Sequence, residues 1–340
     1  MPVLALLGPT AVGKTVISLR IAQALNYEII SLDSVQVYRR MNIGTAKIRP
    51  EEMQGIAHHC LDLVEPDDEY NAARYAADAS AAMATIRDRG KIPLLVGGAG
   101  LYLRALEHGL FAAPPVDTNI RKKMILHIDK EGIDKLHDEL VVCDHESAAR
   151  IDRHDRSRVL RALEIYHATG LTWPEHLRRQ QRRIEVAHPC TGRERAAPVP
   201  VNHFIKIGLN CPRDLLYQRI NERCQIMLNE GLIEEARGLL AAGYSPACKA
   251  LQAIGYRHVI AWLLGQNDYE KMVEIFMRDT RRYAKRQLTW FRHDPAITWF
   301  DWQDEKSILQ FAAEALKKVV GGFIGGSTGS AVSNCLVSTV

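Results

Sequence analysis

Residues 8–15 read GPTAVGKT and satisfy the spacing G-x-x-x-x-G-K-[ST] in full. No other stretch limits the possible folds so tightly, because this loop works only between a buried strand and the first turn of a helix. Both flanks are present. Residues 2–7 form a continuous apolar run that reads as a strand. From Lys14 to about Leu25, apolar Val16, Ile17, Leu19, Ile21, Ala22 and Leu25 recur at helical spacing. Gly8 and Gly13 let the backbone curl, so that the amides between them (Pro9, which has no N–H, is followed by Thr10, Ala11 and Val12) point inward at a di- or triphosphate. The helix N-terminus adds partial positive charge. Lys14 supplies a point charge, and the Thr15 hydroxyl suits a Mg²⁺ ion.

The rest of the chain extends this start into an α/β architecture. Residues 27–33 read as a second strand with Asp33 at its carboxyl end, the edge where open parallel sheets bind ligands. Residues 34–50 read as a loop and a short helix. A helix is expected over 71–89, a buried strand over 92–97 running into Gly97-Gly98-Ala99-Gly100, and a helix directly after it. The alternation predicts a P-loop parallel sheet with helices on both faces. Residues 112–116 (AAPPV) break it, and residues 117–185 are charged and helical without a strand signal. The expected division is a first core part at 1–113, an inserted helical domain at 114–200, a second core part at 201–320 and a Gly/Ser-rich disordered tail at 321–340. The second core part begins with a strand over 203–209. Helices follow at 213–229, 233–242, about 250–264, 269–292 and 306–320.

Composition sets broad bounds. With 340 residues, 47% hydrophobic and 25% charged, the chain has the balance of a globular protein of about two domains. Seven scattered Cys fit reduced thiols in the cytoplasm better than a disulfide framework. His58, His59 and Cys60 adjoin but lack partners at zinc spacing. No signal peptide or membrane span is expected.

The chemistry begins with what the strand ends carry. An ATPase places a second acid at the end of a buried strand to hold Mg²⁺, but residues 96–99 read VGGA. Asp33 is the well-placed carboxylate. It suits a general base acting on an incoming nucleophile, and equally a cap ahead of Ser34. The residues therefore predict group transfer from a phosphorylated donor, with the transferred group, phosphoryl or carbon, left open. Arg219 and Arg223 share a helix face and suit a clamp on the donor or plain surface positions. Arginines cluster over 150–161 and 278–292, the latter interleaved with Tyr283, Trp290 and Phe291, a pattern suited to RNA and also to a solvated helix face.

Together these segments resemble the tRNA dimethylallyltransferase (tRNA isopentenyltransferase) family. The resemblance is carried by GPTAVGKT at 8–15, LDSVQVYRRMNIGTAK at 32–47, VGGAGLYLRAL at 96–106, RSRVLRALEIYHATG at 156–170, ALQAIGYR at 250–257 and TRRYAKRQLTWFR at 280–292. It spans the chain to about residue 305 in the family's order. The resemblance implies transfer of a dimethylallyl group from dimethylallyl diphosphate to N6 of the adenosine 3′ of the anticodon, with an inserted domain gripping the anticodon stem-loop. It implies Asp33 as general base, residues 8–15 with Arg219 and Arg223 on the diphosphate, and Mg²⁺ at Thr15. For tRNA it implies Asp33, Ser34, Val35, Gln36, Ala99, Arg121, Ser157, Arg158, Val159, Leu160, Arg161, Gln252, Gly255, Tyr256, Arg257, Arg281, Lys285 and Arg286. A cytoplasmic monomer is expected.

The chain departs from the family pattern at two positions. Ala99 stands where a Thr hydroxyl is usual, and Ser157 where Gln is usual. The rival readings are an isopentenyltransferase on free adenine nucleotides, a P-loop small-molecule kinase, and a catalytically weak RNA-binding paralogue.

Overall fold

The structure is a computed structural model that describes residues 3–110, 118–179 and 204–324. Six strands form one sheet in which every pairing is parallel. They are β1 (Val3–Leu7), β2 (Tyr27–Leu32), β3 (His58–His59), β4 (Ile92–Gly97), β5 (Phe204–Asn210) and β6 (Ile297–Asp301), in the order β3-β2-β4-β1-β5-β6. Strands β1 and β2 are buried along their whole length, as a parallel sheet covered on both faces requires. The P-loop α/β class is the one the loop pattern dictates.

Register matters most for the site. Leu7 pairs with Gly97 and Gly208, and Leu32 with Gly97. The carboxyl ends of β1, β2, β4 and β5 are therefore level, and Gly8, Asp33 and Gly98 emerge at one edge.

Contacts divide the chain into residues 1–108 with 201–340, and residues 109–200. In the first unit, α1 (Lys14–Leu25) buries Ile17, Leu19, Ile21 and Ala22. Helix α2 (Ala72–Asp88) starts at Asn71, whose side chain accepts from the Ala73 and Arg74 amides. Helix α3 (Gly100–His108) follows β4.

The second unit contains α4 (Thr118–Glu131), α5 (Ile133–Cys143), α6 (His145–Ala148), α7 (Arg156–Thr169) and a helical stretch at 173–179. Leu136, Leu140, Val159, Ala162 and Leu163 form its fully buried centre. Asp144 caps α6 through Ser147 and also accepts from the Trp173 amide at 3.1 Å. Back in the first unit are α8 (Arg213–Asn229), α9 (Leu232–Ala241), α10 (Tyr256–Leu263), α11 (Tyr269–Arg292) and α12 (Glu305–Ile324).

The elements depart from the expected ones in four places. Strand β3 has only two residues, too few for a periodicity to register. Strand β6 is an edge strand paired to β5 alone, and its half-exposed Trp299 and Phe300 do not make a buried run. The helix expected from about residue 250 starts at Tyr256, because Gly255 sits at φ +95 and ends the preceding turns. The last helix continues through Ile324, into the stretch read as tail, and residues 325–340 lie outside the described ones.

Candidate active site

The loop that follows β1 closes on itself. Gly13 has φ +107, a left-handed conformation that only glycine adopts without strain, and it caps α1 with no side chain covering the helix amides. Lys14 Nζ donates to the carbonyls of Gly8 (2.9 Å) and Pro9 (2.7 Å). Burial, and then the positive charge of Arg223, push its ammonium down to about 7, with Asp33 opposing the shift. Arg223 Nη1 donates to Thr10 Oγ1 at 3.3 Å. Arg219 lies with its guanidinium 4.1 Å from the Trp302 ring centroid. It also rests against the loop, where a Cβ on Gly13 would come within 3.6 Å of its Nη2. Arg219 Nη1 is buried without a hydrogen-bond partner among the described residues. Three cations thus converge on the loop at the start of α1, an arrangement that suits an anion.

Asp33 follows β2. Its Oδ1 accepts from the amides of Val35 (2.8 Å) and Gln36 (3.2 Å), so the carboxylate does cap the turn, and the cap fixes where it points. The Gln36 side chain accepts from Ser31 Oγ (2.8 Å) and donates to the carbonyls of Thr45 (3.2 Å) and Ala46 (3.3 Å). The loop at 42–46 is pinned from its other side by Glu235. That carboxylate accepts from the amides of Asn42, Ile43 and Gly44 and from Tyr256 Oη. Only glycine fits at residue 44, since a Cβ there would lie 2.5 Å from the Tyr256 ring.

Two cavities meet at this edge. One, of about 360 Å³, is walled by Lys14, Thr15, Ser18, Gly98, Arg219 and Gln287. The other, of about 310 Å³, is mostly apolar and walled by Tyr38, Tyr102, Ile220, Cys224, Met227, Phe276 and Thr280. Thr10, Ala11, Asp33, Thr45, Arg223 and Tyr283 line both. A cationic cradle and an apolar chamber therefore share one wall, and a carboxylate stands in it. Among the described residues no group of three or more His, Cys, Asp and Glu could hold a metal. The donors present, the Thr15 hydroxyl and the Asp33 carboxylate in one cavity, fit a Mg²⁺ ion that takes most of its ligands from a bound diphosphate and water.

Several expected contact residues sit elsewhere than a binding role requires. Val12, Val159 and Tyr256 are fully buried and Leu160 is 4% exposed. The Val12 side chain packs into the core, leaving only its amide for a ligand. Val159 and Leu160 hold α7 in the helical unit's centre, and Tyr256 buttresses Gly44, so none offers a side chain to RNA. Gly255 is likewise buried. In the helical unit, Ser157 and Arg158 are exposed, while Arg121 (3.1 Å) and Arg161 (3.3 Å) flank the buried Glu164. In the α/β unit, Ser34 and Val35 line the apolar cavity. Gln252 and Arg257 line that cavity and also an outer groove, and Arg257 is anchored to Asp279 at 2.7 Å. Ala99 follows β4 with its amide on the Leu32 carbonyl (3.2 Å). Arg281 is tied to Asn221 at 2.6 Å, whereas Lys285 and Arg286 are exposed.

Sequence reasoning missed Gln287, Trp302 and Glu235. Gln287 Oε1 accepts from the Thr10 amide (2.8 Å), and its Nε2 donates to the Gly98 carbonyl (3.1 Å), joining the loop after β1 to the end of β4. A signal for it existed. Phe276, Thr280, Ala284, Gln287 and Phe291 fall on one helix stripe, so a glutamine interrupts a face of small and apolar residues.

The fold and this edge define a P-loop α/β protein with a cationic cradle opening into an apolar chamber. Comparison with known proteins narrows the class. The profile of the IPP transferase family matches residues 36–294, and that of an isopentenyl transferase family matches residues 1–68. The tRNA dimethylallyltransferase of Syntrophobacter fumaroxidans is 42% identical over 309 residues, covering 91% of this chain and 86% of that one. The tRNA dimethylallyltransferase of Geobacter sulfurreducens is 43% identical over 295 residues, covering 87% and 90%. Among solved structures, the tRNA isopentenylpyrophosphate transferase of Bacillus halodurans superposes with a TM-score of 0.67 at 38% identity, covering 95% of this chain and 99% of that one. A eukaryotic dimethylallyltransferase acting on tRNA gives 0.71 at 27% identity, covering 97% and 81%. The chain belongs to the IPP transferase family.

Proposed function

We propose that the protein transfers the dimethylallyl group of dimethylallyl diphosphate to N6 of the adenosine 3′ of the anticodon in tRNA, releasing diphosphate. The observation that carries this reading is the shared wall. Asp33 stands between a cradle of Lys14, Arg219 and Arg223 and an apolar chamber, where a base, a leaving diphosphate and a hydrocarbon group have to meet. The names of the relatives agree with the reading.

The donor's diphosphate lies on the loop amides from Ala11 to Thr15, neutralised by Lys14, Arg223 and Arg219, which stabilise the charge that grows on it as the carbon–oxygen bond breaks. Thr15 would hold a Mg²⁺ ion, which when bound would supply further charge neutralisation. Asp33 takes the proton from the adenine amine as the nitrogen attacks. Ser34, Val35 and Gln36 flank the base. Reaching the chamber requires the adenosine to leave its stack. The exposed Arg158 and Ser157, with Arg121 and Arg161, serve the RNA backbone from the helical unit, and Gln252, Arg257, Lys285 and Arg286 serve it from the α/β unit. The enzyme acts as a monomer in the cytoplasm. No helix among the described residues is long and apolar enough to cross a membrane.

A single-turnover assay with Mg²⁺, radiolabelled dimethylallyl diphosphate and either unmodified tRNA or AMP tests the reading, with Asp33→Ala alongside. Label in tRNA, absent from AMP and lost in the variant, is the expected result. Label in AMP alone, or in neither, overturns it.

A further inference from the structure

Resting on that reading, we infer that Tyr283 is a further catalytic residue, its ring facing the allylic carbon as the bond to diphosphate breaks. Of the aromatic side chains around the two cavities, Tyr38, Tyr102 and Phe276 line the apolar chamber alone, and Tyr283 lines both. It therefore stands where the donor's charged head passes into its hydrocarbon tail. Helix α11 sets it there. Phe276, Thr280, Tyr283 and Gln287 follow one another along a single face, from the apolar chamber to the loop after β1.

The chemistry needs such a group. The carbon–oxygen bond breaks with its electron pair going to diphosphate, and positive charge spreads over the allylic carbons. The adenine nitrogen's lone pair forms the new carbon–nitrogen bond, and its proton goes to Asp33. Tyr283 gains and loses nothing in this balance. Its π-face attracts the transient cation where the cradle meets the apolar chamber. The cations on the other walls, Lys14 and Arg223, oppose charge at that carbon, so an electron-rich neutral face complements what they do for the leaving group.

The surroundings hold the ring ready for this work. Gln287, one turn along the helix from Tyr283, is itself fixed to Thr10 and Gly98. Burial, and next the Asp33 charge, push the phenol well above its ordinary range, so the ring stays neutral at every working pH. The Arg286 guanidinium lies over the ring, 5.8 Å from its centroid, a cation already resting on this electron-rich side chain, and Tyr102 is occupied by stacking on Tyr75 at 4.7 Å.

The test replaces Tyr283 by Phe, by mono-, di- and trifluorinated phenylalanines, and by Leu, and measures single-turnover transfer to tRNA. Tyr283→Phe keeps the ring and is expected to stay within about threefold of wild type. Each added fluorine is expected to slow transfer, reaching about 30-fold across the series, with donor affinity nearly constant. Tyr283→Leu is expected to match the slowest of these. Fluorination barely changes shape, so a flat series overturns the inference even if the Leu variant fails to fold. A wild-type protein that labels no tRNA overturns the proposed function itself, before any variant is compared.

Discussion

Cations around the loop after β1 and cations of the helical unit keep different company. Around the loop after β1, Lys14, Arg223 and Arg219 rest on carbonyls, a hydroxyl and an indole rather than on carboxylates. In the helical unit nearly every described arginine already has an acid beside it. Arg150 pairs with Glu146 (2.9 Å), Arg156 with Asp129 (3.6 Å), Arg158 with Asp155 (3.4 Å) and Arg178 with Glu146 (2.7 Å). Lys14 and Arg223 carry a desolvation cost that a bound anion relieves, so each should matter greatly and resist salt. The exposed set exchanges one set of oxygens for another when RNA arrives. Each member should matter little alone, and all should respond to ionic strength.

The largest effect expected from breaking the enclosed arrangement is at Asp33. Replacing it with Asn leaves the capping oxygen and removes the base, and transfer should fall by about 10²–10⁴-fold while tRNA still binds. Quench-flow rates beside a filter-binding assay separate the two, and equal losses in both would reduce Asp33 to its cap. Arg223→Met is next. Losing one enclosed charge should cost about 10–100-fold in kcat/KM for the donor. It should also move Lys14 upward, because the Arg223 charge is one of the causes that lower it.

Acidity sharpens the same contrast. The enclosed Lys14 titrates at about 7 when free and is held charged by a bound diphosphate. Below that pH it is charged in both states and binding is pH-independent. Above it the free ammonium is neutral, so binding must take up a proton and weaken as pH rises. Titration calorimetry at pH 8 in two buffers of different ionisation heat should report an uptake approaching one proton, and no uptake would mean that Lys14 is charged already. The same depression makes the charged lysine a folding penalty. The unfolded chain binds more protons than the native one between about 7 and 10.5, so this group's contribution to stability rises with pH across that window.

The exposed set should give the smaller numbers. Arg158→Ala should weaken tRNA binding by only about threefold at 0.15 M salt, and should lower the slope of log affinity against log salt by about 0.7–0.9. A loss that ignores salt would place Arg158 with the enclosed cations instead. The smallest effect is at Ala99, where restoring the hydroxyl with Ala99→Thr should raise turnover on tRNA a few-fold, about the worth of one hydrogen bond. An unchanged or slower rate would show that nothing is missing there.

Much of this was legible in the residues. The loop spacing, the apolar run before it, Asp33 at a strand end and the bounds of α8 and α11 all follow from local pattern. The resemblance of ordered segments carried the function further than any single motif did. What stayed hidden involved partners far apart in sequence. Nothing near Gly13 announces Trp302, and nothing near Gly44 announces Glu235 or Tyr256. The IGYR segment reads as a contact surface, yet Tyr256 is core, because aromatic residues suit both uses and only packing chooses between them. Val159 and Leu160 pose the same choice, since a motif names a stretch and burial then divides it residue by residue.

The sequence by itself determined which chemistry is available here, an anion loop with a lysine and a carboxylate at the neighbouring strand end, because those depend on contacts within a few residues and on strand direction. Tertiary structure alone decided that the two cavities share a wall, that Arg219 and Arg223 are enclosed, and that Tyr283 stands between cradle and chamber. Those facts depend on which helix face packs over which strand end. Periodicity identifies the face of a helix, but only the folded chain supplies what that face meets.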